Sequence, residues 1–214
     1  MKKEITELVF VLDRSGSMGG LESDTIGGFN SMIEKQKKLE GEVILTTVLF
    51  DDKYELLHDR INLQAIKPIT GEDYYVRGST ALLDAIGYTI QKIDNISNHT
   101  SEKYRADKVM FFITTDGMEN ASVEYSYDEV KKLITNKNEK NGWEFIFIGA
   151  NIDAISTAKQ FGVPSNRAVT YKADKKGTAL NYETMSSVAM NFRSGKSIDD
   201  NWKEEIDEDF KNRK

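Results

Sequence analysis

Cysteine is absent from the 214-residue chain, so disulfides, thiolate metal ligands and a cysteine nucleophile are all excluded. The absence suits a reducing compartment, and a cytoplasmic protein is expected. Histidine is scarce: His58 and His99 stand in no motif with a partner, so neither reads as a metal ligand or a base. Basic residues are outnumbered, 29 against 35 acidic ones, for a net charge of −6. Nucleic-acid binders draw affinity from neutralising phosphates with Lys and Arg, so no nucleic-acid partner is expected. Long hydrophobic runs are missing too. No stretch approaches the ~18 apolar residues of a transmembrane helix, which excludes a membrane span. The first apolar run, residues 5–12, stops at Asp13 without a small-residue cleavage site. It reads as a first strand rather than a signal peptide.

Hydrophobic residues nevertheless make up 39 % of the chain and recur along most of it, enough for one buried core. Leu8-Val9-Phe10-Val11-Leu12 is a continuous apolar run, as expected of a parallel strand covered on both faces. Residues 43–50, 109–114 and 143–148 share that character. Helical patterns lie between them: Ile26, Phe29 and Ile33 form one stripe, and Leu83, Ile86, Ile90 and Ile93 a second. Ser126 and Glu129 make a capping box ahead of Val130, Leu133 and Ile134. Residues 152–161 predict a further helix closed by Gly162 and Pro164. After the turn-like Asp51-Asp52, residues 53–59 alternate weakly and read as an antiparallel edge strand. Residues 167–171 are a last strand, and Leu180, Met185, Val188 and Phe192 mark a long final helix.

Alternating strands and helices predict an α/β fold: a Rossmann-like doubly wound sheet, mostly parallel with one antiparallel edge strand, and helices on both faces. The domain is expected over residues 1–194. Residues 195–214 form a charged tail in which Trp202, Ile206 and Phe210 line one side of a short amphipathic helix. That stripe either packs on the domain or docks a partner.

In sheets of this kind ligands bind beyond the carboxyl ends of the strands, where strand order reverses. The first strand runs directly into Asp13-Arg14-Ser15-Gly16-Ser17, and residues 109–114 run into Thr115-Asp116-Gly117. Gly78-Ser79-Thr80 precedes the second helix. Carboxylates and hydroxyls gathered there are hard oxygen ligands, suited to Mg²⁺, Mn²⁺ or Ca²⁺ and poor for zinc. Asp13, Ser15 and Ser17 alternate along what reads as an extended turn, so three side chains face one point. Asp13 and Asp116 offset the two charges of such an ion, and the hydroxyls add none. A site so balanced leaves room for a carboxylate from outside.

The Asp-x-Ser-x-Ser turn, the segment Gly-Ser-Thr-Ala-Leu-Leu-Asp-Ala at residues 78–85 and Thr-Asp-Gly at 115–117 resemble the metal-ion-dependent adhesion site (MIDAS) of von Willebrand factor A (vWA) domains. The element order matches from the first strand to about Phe192, and residues 145–158 resemble a stand-alone bacterial branch. The resemblance implies that Ser15, Ser17 and Thr80 ligate a divalent metal, Mg²⁺ first among candidates, and that Asp13 and Asp116 act directly or through water. It also implies a protein partner that supplies an Asp or Glu to the metal's open position, and a final helix that shifts with the metal's coordination.

Each motif alone has a plainer explanation: a loop, a turn, or a helix cap from Ser79 or Thr80. Their order, each at an element boundary, favours the metal. Around them, Glu119 and Asn120 either orient ligands or open a helix, and Asp84 is expected to bond the backbone of a neighbouring loop. Arg14 either contacts an acidic partner or is solvated, and a hairpin turn accounts for Asp51-Asp52. Ser194-Gly195-Lys196-Ser197 is no phosphate loop, since Met190 stands where its first glycine belongs. Three functions remain open: a metal-dependent protein-binding module, a metal-dependent hydrolase or phosphatase-like enzyme, and a subunit merely stiffened by the ion. The enzyme is disfavoured, because Ser15 has no nearby base to activate it.

Overall fold

The computed structural model describes residues 4–150 and 152–213. Residues 1–3, 151 and 214, which the bounds 1–194 and 195–214 include, lie outside the described residues. Five strands run parallel: β1 (Ile5–Asp13), β2 (Glu42–Phe50), β4 (Lys108–Thr115), β5 (Glu144–Ala150) and β6 (Ala168–Tyr171). The remaining strand, β3 (Tyr54–Asn62), pairs antiparallel with β2. The sheet order is β3-β2-β1-β4-β5-β6. Every residue of β1 is buried, because it is central and covered on both faces; its apolar run therefore shows no alternation.

Successive side chains of β1 still point to opposite faces. Leu8, Phe10 and Leu12 join Phe29 of α1 (Glu22–Lys37) and Met185 of α5 (Lys175–Arg193) in one core. Val9 and Val11 join Ile86 and Ile90 of α2 (Leu82–His99) in the other, with Val130 of α3 (Tyr127–Asn141) and Ala158 of α4 (Ala154–Gln160). The fold is thus the doubly wound α/β sheet expected from the alternation. Strand order reverses between β1 and β4: the chain leaves β1 toward β2 on one side and later returns to β4 on the other.

Helix boundaries follow local chemistry. The Ser126–Glu129 capping box is present at the start of α3. The α4 helix begins two residues later than the pattern suggests, because the Asp153 side chain accepts the Ser156 amide (3.0 Å) and caps it there. The last strand begins at Ala168 because residues Ser165–Arg167 turn as a 3-10 helix after Pro164. The edge strand runs on to Asn62, three residues past its weak alternation, with register irregularities against β2 on either side of Thr47. Among the described residues no helix is long and apolar enough to cross a membrane.

The charged tail forms α6 (Glu204–Asn212), and its stripe lies on the domain itself. Ile206 is buried, the Trp202 indole donates to the Asn166 carbonyl (2.7 Å), and Lys203 reaches the Ser165 and Ala168 carbonyls (2.7 Å each). Arg213 ties the end of α6 to Asp174 (2.5 Å) and Asp209, and Lys176 also pairs with Asp209 (2.6 Å). Desolvation opposes ionisation of Asp174, but the Gly177 amide and Arg213 outweigh it and hold its carboxyl below the ordinary value. Hydrogen bonds from Lys176 and Arg213 lower Asp209 in the same way. With both groups depressed, their contribution is complete above the unfolded pKa of about 3.9 and is lost as pH falls through the folded values. Trp202 fluorescence should therefore report undocking of α6 only below about pH 4, and Arg213→Ala should reduce that acid step, leaving the parts due to Lys176 and the Gly177 amide.

Candidate metal centre

β1 and β4 pair in register, with Leu12 opposite Thr114, so Asp13 and Thr115 end side by side at the reversal point. The Thr115 hydroxyl donates to Asp13 Oδ2 (2.5 Å), and the Ser15 amide donates to Asp13 Oδ1 (2.7 Å). The Tyr74 hydroxyl, from a loop with no sequence signal, donates to the Asp13 carbonyl (2.5 Å). The chain beyond Asp13 is not the extended turn the alternation suggested. Gly16–Met18 form a single 3-10 turn, which brings Ser15 Oγ and Ser17 Oγ to 3.0 Å. Asp13, Ser15, Thr80 and Asp116 are buried, while Ser17 is exposed and opens the cluster to solvent.

Gly117 shows how closely the hydroxyls gather. A Cβ at that position would lie 2.9 Å from both Ser17 Oγ and Thr80 Oγ1 and 3.7 Å from Ser15 Oγ. All five expected ligand residues are thus brought to one place. Both Asp116 carboxyl oxygens are buried without a hydrogen-bond partner, which is costly for an ionised group. Burial raises the Asp116 carboxyl above its ordinary value, with the Ser17 hydroxyl a weaker opposing influence. Burial also raises Asp13; hydrogen bonds from Thr115 and Ser15 oppose that, and the charge of Asp116 adds to it. Two carboxylates that burial strains, beside three hydroxyls, fit a hard divalent cation. Among the described residues no three His, Asp or Glu side chains gather as a metal cage.

Neither Ser79 nor Thr80 caps α2, the plainer alternative for this segment; other residues do so. The N-cap of α2 is Ala81, with no side-chain cap bond. Glu119 Oε2 accepts the Leu83 amide (2.9 Å) and Ser122 Oγ accepts the Asp84 amide (3.1 Å). Asn120 brackets Thr80 from both sides, accepting its amide (2.9 Å) and donating to its carbonyl (3.1 Å). Glu119 and Asn120 therefore orient the site and do not open a helix. Asp84 accepts the amides of Val123, Glu124 and Tyr125 (2.8–3.0 Å), as expected.

Arg14 corrects both of its sequence-based alternatives. It is fully buried, donating to Asp51 Oδ2 (3.0 Å) and Glu55 Oε2 (2.6 Å), and so neither meets a partner nor faces water. Asp51 does serve the hairpin, accepting the Lys53 amide (2.7 Å) on Oδ1, but its other oxygen binds Arg14 and Arg77. Those pairings span 37 and 26 residues, and no local spacing signals them. His58 stacks on Phe29 and His99 contacts the Asn95 carbonyl; both engage their own surroundings.

No protein-family model matches the sequence, and no curated protein does. Solved structures do match, at the level of fold. Proximal thread matrix protein 1 from the mussel byssus superposes with a TM-score of 0.58 at 13 % identity, over 88 % of this chain and 47 % of that one. A von Willebrand factor type A protein from Catenulispora acidiphila gives 0.57 at 12 % identity, over 88 % and 43 %. The chain thus has a vWA fold, as its motifs implied, and spans less than half of either match. A second structure of the mussel protein (TM-score 0.59, 15 % identity, 88 % and 46 % covered) has its MIDAS motif occupied by zinc. A MIDAS motif therefore holds a metal ion in a protein of this fold.

Asp84→Ala would strand three loop amides in a largely buried place. An apparent loss of about 3 kcal/mol in urea unfolding is expected, with hydrogen exchange rising first across residues 119–125.

Proposed function

We propose that the chain is a divalent-cation-dependent protein-binding module that captures an Asp or Glu side chain of a partner protein. The observation that carries this is the Asp116 carboxylate, buried without a hydrogen-bond partner next to the hydroxyls of Ser15, Ser17 and Thr80. Ser15, Ser17 and Thr80 would hold the ion, with Asp13 and Asp116 supplying its counter-charge. A bound cation supplies Lewis acidity toward an incoming carboxylate. Mg²⁺ is the first expectation, with Mn²⁺ and Ca²⁺ as alternatives, and zinc belongs in the comparison because a structural relative holds it.

The chain's own groups favour binding over catalysis. Asp13 is engaged by Thr115 and the Ser15 amide, which limits it as a base for either serine. A serine without a base is a poor nucleophile. The exposed Ser17 side is where a partner would approach. The same residue chemistry, with no cysteine to oxidise, accords with a cytoplasmic protein.

Calorimetric titration of the wild type with Mg²⁺ should show one site that EDTA reverses. Asp116→Ala should abolish it. Gly117→Ala, whose methyl would crowd Ser17 and Thr80, should weaken it strongly while leaving the far-UV circular dichroism unchanged. Partner capture from a cell extract should require Mg²⁺ and fail with Asp116→Ala. Capture that survives both EDTA and this substitution would show that the metal does not bridge the two proteins.

A further inference from the structure

The two oxygen-bearing loops on the β1 side rest on one short turn, residues 51–53. From the first loop, Arg14 donates Nε to Asp51 Oδ2 (3.0 Å) and its amide to the Phe50 carbonyl (2.8 Å). From the second, Arg77 donates Nε to the same Asp51 oxygen (2.5 Å), and the Ala81 amide donates to the Asp51 carbonyl (2.8 Å). The loops also bind each other: the Arg77 amide reaches the Arg14 carbonyl (2.8 Å) and the Gly16 amide reaches the Gly78 carbonyl (3.2 Å). Gly78 sits at φ +67°, and a Cβ there would fall 2.1 Å from Asp52 Oδ1, so the second loop lies hard against the turn.

Asp51 is the hub of this contact. Its side chain is completely buried, and one of its oxygens is shared by two guanidinium groups. Desolvation pushes its carboxyl up, but the Arg77 hydrogen bond, the Lys53 amide and the charges of Arg14 and Arg77 outweigh it and hold the group ionised. The Tyr75 ring lies 5.6 Å from each guanidinium carbon. Arg14 precedes Ser15 and Ala81 follows Thr80, so two of the contacts to Asp51 lie one residue from a candidate ligand, and Arg77 lies three residues before Thr80. Neither Asp51 nor the arginines carries an oxygen or charge of the candidate coordination set.

We infer that Asp51 is a positioning residue for the cation: by clamping Arg14 and Arg77 it sets the separation of the Ser15 and Thr80 hydroxyls, an inference that rests on the metal-binding reading above. Functional sites tolerate displacements of only about 0.5 Å, and losing the shared carboxylate leaves the buried Arg14, whose Nη1 already has no partner, with only the half-exposed Glu55 as a counter-ion. The loops then part where they meet the turn.

The test uses the whole chain and Mg²⁺ and Mn²⁺ as probes, by calorimetry at a temperature where every variant is folded by circular dichroism. Asp51→Asn should weaken Mg²⁺ binding at least tenfold, and Arg77→Gln should weaken it comparably. The double variant should be little worse than either alone, because the two act as one unit. Arg77→Lys, which restores a cation beside Asp51, should recover most of the loss. Ile93→Val, which loosens the core of α2 far from the turn, should leave affinity unchanged, separating positioning from general destabilisation. Asp51→Asn binding within twofold of wild type, additive effects, or an equal loss in Ile93→Val would each overturn the inference. If Asp51→Asn does not fold, the Arg77→Gln and Arg77→Lys pair decides alone. A wild type that binds neither ion takes down the metal-binding reading itself; a binding wild type with indifferent variants sinks only the role of Asp51.

Discussion

The parallel seam between β1 and β4 is the constraint on which the rest of the molecule's chemistry depends. These strands are neighbours in the sheet but not in the chain, and the connections on either side leave in opposite directions. The carboxyl ends of such a pair are where ligands bind in sheets of this kind. Asp13 and Thr115 meet there, and the hydrogen bond between them sets where Ser15, Ser17 and Asp116 emerge. Had β4 paired elsewhere in the sheet, the same residues would be ordinary loop side chains.

Around this seam the polar residues divide into two groups with different duties. Irregular buried backbone has amides and carbonyls that must be satisfied. Glu119, Asn120, Ser122 and Asp84 take that work, capping α2 and ordering residues 119–125. Asp51 does the same with two arginines. The carboxylate of Asp116, beside the hydroxyls of Ser15, Ser17 and Thr80, is left without the hydrogen bonds its burial calls for. A buried carboxylate left unpaired amid hydrogen-bonded neighbours is a feature that calls for an explanation.

The fold matches solved vWA structures at 12–15 % identity although no family model recognises the sequence. A doubly wound sheet needs apolar strands, amphipathic helices and short turns, and many sequences satisfy those needs. Fold likeness by itself assigns no activity. What argues for cation-dependent binding is the local chemistry of a few oxygen atoms, and the mussel protein's zinc-filled motif shows that a protein of this fold can hold a metal ion.

Much was legible in the order of residues. Strand runs, the capping box at Ser126 and the candidate ligands could be read because each depends on neighbours a few positions apart: a period of two, a helical stripe, an i to i+3 cap. Sequence order even placed the candidate ligands at element boundaries. It misplaced Arg14, missed Tyr74 and the second role of Asp51, and left Glu119, Asn120 and the tail helix undecided. Those residues act on partners 26 to 61 positions away or on a face defined only once the sheet is complete. Sequence alone thus determined which residue types stand at the strand ends; tertiary structure alone decided which are buried, which are satisfied and which are left free, because burial and hydrogen-bond completion are set by distant segments packing together.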